Sequence, residues 1–309
     1  MASGLPLLNQ SLLVQAGIIS IAGLGIVILA GFAGQLSIGH AAFFGIGGYV
    51  NALLVVRTGI SPLVATLVGA LICAVLSWLI GRLIFRTAGH YLALATLALG
   101  LVAETVVKEQ DSVGGAVGLA DIPPIQLGSW ILSGDASYYW LVAGVLFVAT
   151  LLCSNLLHSV EGQRLKALGD SEIATAAAGL EPMRLKTRSL ITSAVLASVA
   201  GSLYAHWTSF IDPTMMGLLQ SVQFLIIVVI GGMRSVWGAP VGALFLLVLT
   251  EGARETLPLL SSNVGGNFEI AVYGVVLVIF LLFLPQGIVG FASEKWANFQ
   301  RHRSTRRKG

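Results

Sequence analysis

Residues 1–56 read MASGLPLLNQSLLVQAGIISIAGLGIVILAGFAGQLSIGHAAFFGIGGYVNALLVV and contain no Asp, Glu, Lys or Arg. The rest of the chain is similar in character, since 56% of the 309 residues are hydrophobic and only 10% are charged. An average soluble domain has about 25% charged residues, and one of this size could not bury so much apolar surface. Apolar runs of about 17–25 residues have the length that crosses a hydrocarbon core of about 30 Å. The sequence therefore predicts an integral membrane protein.

The apolar segments predict helices and not the strands of a membrane barrel. Barrel strands alternate apolar with polar residues over about ten positions, whereas a stretch such as 218–230 is almost continuously apolar. The 37 glycines also suit closely packed membrane helices. We expect an all-α fold, with one polytopic transmembrane domain over 1–309. Because residues 1–15 carry no Lys or Arg to mark a secretory signal, the first apolar segment counts as a membrane helix.

Nine segments are candidates for membrane helices, and the count becomes eight if one of the first two is re-entrant. They are predicted at about 11–30, 40–56, 61–81, 91–107, 138–157, 189–207, 216–230, 237–252 and 268–286. Lys and Arg beside membrane helices stay on the cytoplasmic side. The basic loop 158–188 and the basic tail 292–309 are therefore expected in the cytoplasm, and the segment 108–136 and the N-terminus outside. The tail could alternatively bind anionic lipid headgroups.

The stretch GFAGQLSIGHAAFFGIGGYV, at 31–50, interrupts the apolar pattern with polar side chains and clustered glycines. A helix is expected to break or bend here, and a half-helix starting near Ser37 would have Ser37 as its N-cap. Its free N–H groups could then meet a carboxylate or carbonyl of a solute. The candidate residues for a solute pathway are Gln35, Ser37, His40, Gly45 and Gly48. The alternative is a tight helix-packing surface with a buried, hydrogen-bonded His40.

The loop 158–188 is a second candidate for function, because it predicts a short helix of its own. Asp170 can cap that helix, Glu172 suits the positive end of its dipole, and Gly179 can end it in a left-handed conformation. The residues that leave its surface smooth are Ala174, Ala176, Ala177 and Ala178. Pro182 predicts the start of the next helix. The loop could be an ordinary connection, but its length favours a docking element for a partner protein.

Several classes of function are excluded by missing motifs. The sequence has no GxxxxGK[ST] loop for ATP, no HExxH or GxSxG, and no clustered Cys and His residues. Cys73 and Cys153 both fall in apolar segments, which makes a disulfide framework improbable. We therefore predict no catalytic residues, no metal site, no cofactor in this chain and no binding of nucleic acid. Glu104 and Lys108 are spaced as an i, i+4 pair, and that pair and Glu251 are expected to have structural roles near external helix ends.

Five motifs in one order resemble the permeases of branched-chain amino acid ABC transporters, the LivM/LivH family, and most of all its LivM type. They are GFAGQLSIGHAAFFGIGGY at 31–49, GHYLALATLALG at 89–100, VGGAVGLADIPP at 113–124, GDSEIATAAAGLEPMRLK at 169–186 and GGMRSVWGAPVGA at 231–243. The resemblance implies that 169–179 is the coupling helix that fits an ATPase subunit. The implied coupling residues are Gly169, Asp170, Glu172, Ala174, Ala177 and Gly179.

The same resemblance implies the partners and the place of this chain. It implies two ATP-binding cassette ATPase subunits that use the ATP, a second homologous permease, a periplasmic substrate-binding protein and the lipid of the cell inner membrane. The expected solute is a branched-chain or related hydrophobic amino acid, chosen largely by the binding protein. Alternatives are a secondary transporter or channel for a small solute, or a scaffold without transport. The turn departs from the family at two positions. The family usually has glycine where Arg234 stands, and Pro240 lies one position later than the proline of the family's common GP pair. Both departures put the backbone freedom of that turn in doubt.

Overall fold

The computed structural model describes residues 9–85, 91–127 and 130–256, together with 274–275, 278, 282, 284, 286–292 and 294–295. Within these residues the fold is a helical bundle with two small pairs of strands. The helices are α1 (Gln10–Ile26), continued by a π-helical turn (Val27–Phe32), α2 (His40–Thr58), α3 (Pro62–Ile84), α4 (Tyr91–Glu109), α5 (Asp135–His158), α6 (Val160–Asp170), α7 (Glu172–Ala177), α8 (Pro182–Thr208), α9 (Leu218–Gly231) and α10 (Gly238–Thr256). The strands are β1 (Leu119–Ala120), β2 (Gln126–Leu127), β3 (Trp130–Ile131) and β4 (Phe210–Ile211).

Helix α1 lies at the centre of the bundle, in contact with α5, α8, α9 and α10. From Ala16 to Ile26 its side chains are apolar except for the buried Ser20, and Val14, Ile18, Ile21 and Leu24 are fully buried. A helix that is hydrophobic on all sides is stable only where neighbours or lipid surround it. The position of α1 at the centre therefore follows from its composition.

Small residues hold α2, α3 and α8 together. On α3 every fourth residue is small and buried: Ala65, Gly69, Cys73, Ser77 and Gly81. On the other two helices a Cβ at Gly201 would collide with the carbonyl of Phe44, and one at Gly48 would lie 2.9 Å from the carbonyl oxygen of Gly201. Close backbone approach of this kind drives association of membrane helices, since lipid offers no hydrophobic gain.

The chain leaves the helical conformation at residues 33–39, which we call the break. Helix α2 starts deep in the bundle, because His40 Nε2 lies 3.2 Å from the carbonyl oxygen of Ala22 and Nδ1 lies 3.4 Å from Ser193 Oγ, both near the middle of their helices. Irregular backbone is tolerated at membrane depth only where protein covers it. The interruption expected between the first two helices is confirmed.

One end of the bundle is covered by the segment between α4 and α5. Its strand β1 pairs antiparallel with β4, and Ile122 is buried against Tyr49, Ala52 and Ala205. The hydroxyl of Tyr138 donates to the carbonyl of His206 and accepts from the N–H of Ile125. These contacts fix the segment predicted to lie outside the membrane.

The opposite end carries α6, α7 and the turn between α9 and α10. Arg234 in that turn forms an ion pair of 2.7 Å with Asp170 at the end of α6. The loop 158–188 and the Arg234 turn thus share one end, and the segment 108–136 lies at the other, as the predicted topology requires. That the end with the loop faces the cytoplasm stays a prediction.

Eight of the nine predicted membrane helices correspond to α1–α5 and α8–α10. The ninth, 268–286, and the basic tail 292–309 lie largely outside the described residues. Among the described helices, five are long and apolar enough to cross a membrane: Gln10–Phe32, His40–Thr58, Pro62–Ile84, Asp135–His158 and Pro182–Thr208. The crossing predicted at 216–230 needs a correction, because α9 has 14 residues, about 21 Å, and is too short to span alone. The chain before it, Pro213–Met216, is a 3₁₀ turn inside the bundle, where Met216 packs on Gly45.

Candidate functional site

The loop 158–188 is built from α6, α7 and the first turn of α8. Ser171 lies between α6 and α7 with extended backbone, and its Oγ accepts a hydrogen bond of 3.2 Å from the N–H of Ala174. Ser171 is therefore the N-cap of α7, and the prediction of Asp170 in that role is wrong. Asp170 is instead the last residue of α6, where its carboxylate is free to pair with Arg234. Adjacent Asp and Ser are both good N-caps, so the sequence alone could not choose between them.

The other local predictions for α7 are confirmed. Glu172 lies in its first turn, Gly179 follows it with a left-handed φ of +78°, and Pro182 opens α8. Glu172 also forms an ion pair of 2.7 Å with Lys186, a buried side chain whose ammonium lies over the ring of Phe85. This pair anchors α7 to α8, and no local sequence pattern predicts it.

Helix α7 presents an exposed, mostly apolar surface at this end of the bundle. Ile173 is 84% exposed, while Thr175 is buried beneath the helix. The alanines predicted to form a smooth surface, Ala174, Ala176, Ala177 and Ala178, are all exposed. An exposed isoleucine beside small side chains is the composition of a protein contact surface.

The loop touches the break directly, through glycines. A Cβ at Gly169, in the last turn of α6, would collide with the carbonyl of Phe32. A Cβ at Gly34 would lie 3.2 Å from the Cα of Gly169, and Gly34 adopts a left-handed φ of +66°. The two backbones therefore pack with no side chain between them. A displacement of α6 must act on the end of α1 and on the break.

A cavity of about 750 Å³ opens where these elements meet. Its lining includes Gly31 and Gly34 from the α1 end, Gly169 from α6, and Gly232 and Ser235 from the α9–α10 turn. Gly232 has a φ of +119°, whereas Arg234 is not among the described residues with a positive φ. Arg234 therefore needs none of the backbone freedom of the glycine that the family usually has there.

The five candidate pathway residues lie on the break and on α2. Gln35 is half-buried, and its Nε2 lies 3.3 Å from the carbonyl oxygen of Ala33. Ser37 is 2% exposed, and its Oγ is without a hydrogen-bond partner within the described chain. The prediction of Ser37 as N-cap is wrong, because α2 begins at His40 and Gly39 occupies the cap position. The break therefore extends beyond Ser37, near which the half-helix was expected to start, up to Gly39.

His40, Gly45 and Gly48 have the contacts of the alternative, a helix-packing surface. His40 is fully buried, with both ring nitrogens near polar partners. A Cβ at Gly45 would collide with Met216, and Gly48 packs on Gly201. That Gln35 and Ser37 contact a solute stays a prediction, and the contacts of His40, Gly45 and Gly48 are compatible with it.

Hydroxyl groups from distant helices cap the start of α2. The N–H of Ala41 donates to Ser221 Oγ at 3.0 Å, and the N–H of Gly39 lies 3.4 Å from Thr96 Oγ1. Two of the N–H groups expected to meet a solute thus already have partners. Sequence reasoning missed Thr96 and Ser221, because they are 57 and 180 residues away from the groups that they contact.

Charged groups at both ends of the described bundle form ion pairs. Hydrogen bonding from Arg188 holds the pKa of Glu161 below its ordinary value, and the charge of Arg188 and contacts with Arg164 act in the same direction. At the opposite end the predicted pair of Glu104 and Lys108 is confirmed, with 2.6 Å between the charged atoms. Over the part of the chain that the structure describes, no three His, Cys, Asp or Glu residues are grouped as metal ligands would be. The contact of Gly169 with Phe32 and Gly34 connects the end of the bundle that carries the exposed helix α7 to the break.

The chain is similar in sequence to known transport proteins. The profile of a family described as "branched-chain amino acid transport system / permease component" matches residues 9–284. The high-affinity branched-chain amino acid transport system permease protein LivM of Escherichia coli (strain K12) is 30% identical over 293 residues, covering 87% of this chain and 67% of LivM. The corresponding protein LivH of the same strain is 23% identical over 283 residues, covering 86% of this chain and 89% of LivH. Among solved structures, PsaBC from Streptococcus pneumoniae in complex with Fab is similar over 90% of this chain, with 16% identity and a TM-score of 0.46.

Proposed function

This chain belongs to the branched-chain amino acid transport system permease family, and we propose that it is a permease subunit of an ATP-binding cassette importer for branched-chain or related hydrophobic amino acids. It would act in the cell inner membrane as a multi-pass subunit with its C-terminus in the cytoplasm. The family match over 9–284 and the similarity to LivM and LivH support this proposal.

The observation that carries the mechanism is the backbone contact between Gly169 and the break. Helix α7 is exposed and follows α6 after one residue, Ser171, whose N–H donates to the carbonyl of Ala167 on α6, while the Glu172–Lys186 pair ties α7 to α8. Helix α6 in turn meets the end of α1 without an intervening side chain. Movement of α7 by an external motor would therefore reach the break directly.

The partners follow from this mechanism. Of two ATP-binding cassette ATPase subunits, one would bind the loop 158–188 of this chain, and both would use the ATP, so this chain would need no cofactor of its own. The coupling residues would be Gly169, Asp170, Glu172, Ala174, Ala177 and Gly179. A second homologous permease would complete the membrane part, and a periplasmic binding protein would deliver the solute. Since both LivM and LivH are similar to this chain, a heterodimer of permeases is the favoured pairing.

The break and the cavity beside it would line the solute pathway. Ser37 brings a buried hydroxyl without a hydrogen-bond partner among the described residues, and Gln35 brings an amide close to the cavity wall at Gly34. Hydroxyl and amide groups can bind the polar ends of an amino acid, while the apolar surroundings suit its side chain. Ser37→Ala and Gln35→Ala are expected to reduce transport without changing assembly.

Reconstitution tests the proposal. The chain is expressed with a candidate LivH-type permease, two ATPase subunits and a binding protein, and leucine uptake into proteoliposomes is measured. We expect uptake only with ATP and binding protein, and none with an ATPase variant that cannot hydrolyse ATP. Uptake driven by an ion gradient or by concentration alone would reject the proposal in favour of a secondary transporter or a channel.

A further inference from the structure

A second cavity at the α6 end of the bundle has the chemistry of a binding site for an anion. Its volume is about 480 Å³, and we call it the basic cleft. The lining residues that matter here are Phe32, Ser154, His158, Lys166, Arg234 and Trp237. They come from the π-helical end of α1, the end of α5, the middle of α6 and the α9–α10 turn, so the cleft lies between helices and not on a single surface.

The basic cleft carries an excess of positive charge. The Lys166 ammonium lies 5.8 Å from the centre of the Phe32 ring and forms no ion pair with a described residue. Arg234 pairs with Asp170, which neutralises one cation and one carboxylate. His158 Nδ1 lies 2.7 Å from the carbonyl oxygen of Ser154, so Nδ1 is the protonated nitrogen and Nε2 remains available. An anion entering the cleft therefore meets an uncompensated lysine and an imidazole.

Both walls of the basic cleft become apolar away from the bundle end. On α5, Phe147 and Leu151 lie on the same helix face as Ser154 and His158, and they are 63% and 45% exposed. Trp237, directly before α10, is 62% exposed, and Leu244, two turns further on in α10, is 39% exposed. A tryptophan at the end of an apolar stripe is typical of the boundary between headgroups and acyl chains.

We propose that the basic cleft binds the phosphate headgroup of an anionic phospholipid, whose acyl chains lie along the exposed apolar faces of α5 and α10. Basic pockets between membrane helices on the cytoplasmic side are suited to such headgroups. The inference rests on the membrane orientation that the proposed function requires. A lipid held by Lys166 contacts α6, the helix that touches the break and carries α7, and so it stabilises the connection between them.

Lipid titration of the purified full-length chain tests this inference. Short-chain phosphatidylglycerol, phosphatidylcholine or inorganic phosphate is added to the detergent-solubilised protein, and bound ligand is counted by native mass spectrometry. We expect saturable binding of phosphatidylglycerol, weaker binding of phosphatidylcholine, and no comparable binding of inorganic phosphate. Equal binding of the two lipids would overturn the proposal, and so would phosphate binding as tight as that of phosphatidylglycerol.

Two matched variants locate the site. Lys166→Gln removes the unpaired cation and should weaken phosphatidylglycerol binding about fivefold, the effect of one lysine near an anionic surface. Arg184→Gln makes the same change of charge at the same end, in an exposed pair with Glu181 outside the cleft, and should leave binding unchanged. Equal binding by all three proteins would overturn the site. The binding assay contains no ATPase and measures no uptake. If lipid binding is absent while the separate reconstitution shows ATP-driven uptake, the lipid site alone is rejected.

Discussion

His206 Nε2 lies 2.7 Å from Asn51 Oδ1, and this contact connects the C-terminal half of α8 to α2. The other ring nitrogen, Nδ1, lies 2.7 Å from the carbonyl oxygen of Pro123 in the segment between α4 and α5. Asn51 also donates from Nδ2 to Thr66 Oγ1 on α3. One buried side chain thus joins two membrane helices to the segment that covers them.

Replacing His206 should loosen that covering segment. In His206→Leu the carbonyl oxygen of Pro123 or Oδ1 of Asn51 loses the N–H that a neutral imidazole donates to one of them, and an unsatisfied buried polar group costs about 1–3 kcal/mol. We expect a lower Tm in detergent and faster proteolysis within 111–127. Gln110→Ala, in the same segment but exposed, should leave both measurements unchanged. Identical proteolysis of His206→Leu and the parent protein would show that the segment is held by other contacts.

Adding one methyl group at Gly169 should separate α6 from the end of α1. Gly169→Ala places a Cβ against the carbonyl of Phe32, and overpacking of this kind costs about 1–3 kcal/mol. Gly144→Ala on α5 is the matched control, because a Cβ there meets no atom within 4 Å. We expect a lower Tm and a loss of ATP-driven uptake for Gly169→Ala only. Full uptake by Gly169→Ala would contradict the role of the glycine contact in transmission.

The exposed face of α7 can be tested by placing a charge on it. Ile173→Asp should reduce co-purification of the ATPase at least tenfold, since burying an unpaired carboxylate in an interface is costly. Val117→Asp, at the other end of the bundle and 81% exposed, should retain the ATPase. Glu172→Lys is a poorer test, because it also removes the partner of the buried Lys186. Retention of the ATPase by Ile173→Asp would place the docking surface elsewhere.

The stability of the α5–α6–α8 junction should depend on pH through Glu161. Its pKa is lowered in the folded protein by Arg188, so the ionised carboxylate stabilises the fold at pH values above its ordinary pKa of about 4.5. That contribution is lost as the pH falls through the lower, folded pKa. The parent protein should therefore have a higher Tm than Glu161→Gln at neutral pH, by an amount equivalent to no more than about 1 kcal/mol. A difference in Tm that stays constant from neutral pH to below the folded pKa would contradict this assignment.

The sequence predicted the helices and their order because lipid makes the requirement simple. A spanning segment must be long and apolar, and segments such as 61–81 and 138–157 match α3 and α5 within three residues at each end. Local signals for α7 were also readable, since the acidic first turn, Gly179 and Pro182 each act on neighbouring backbone.

The parts that could not be predicted depend on contacts between distant residues. The depth at which α2 starts is set by Ala22, Thr96 and Ser221, which belong to three other helices. The partners of Glu172 and Asp170 likewise come from α8 and from the α9–α10 turn. A single sequence shows propensities for helices and caps. It does not show which hydroxyl or which cation from a distant part of the chain lies beside a given residue in the folded protein.

The backbone contact between Gly169 and Gly34 can transmit a displacement in either direction. No side chain separates these two backbones. A displacement of α7 by a partner and a conformational change at the break would therefore each act on the other element. Thermodynamic linkage then requires that whatever occupies the break alters the affinity of α7 for its partner by the same factor as the partner alters occupancy of the break. If a solute occupies the break, a partner bound at α7 would therefore bind the filled permease and the empty one with different affinities.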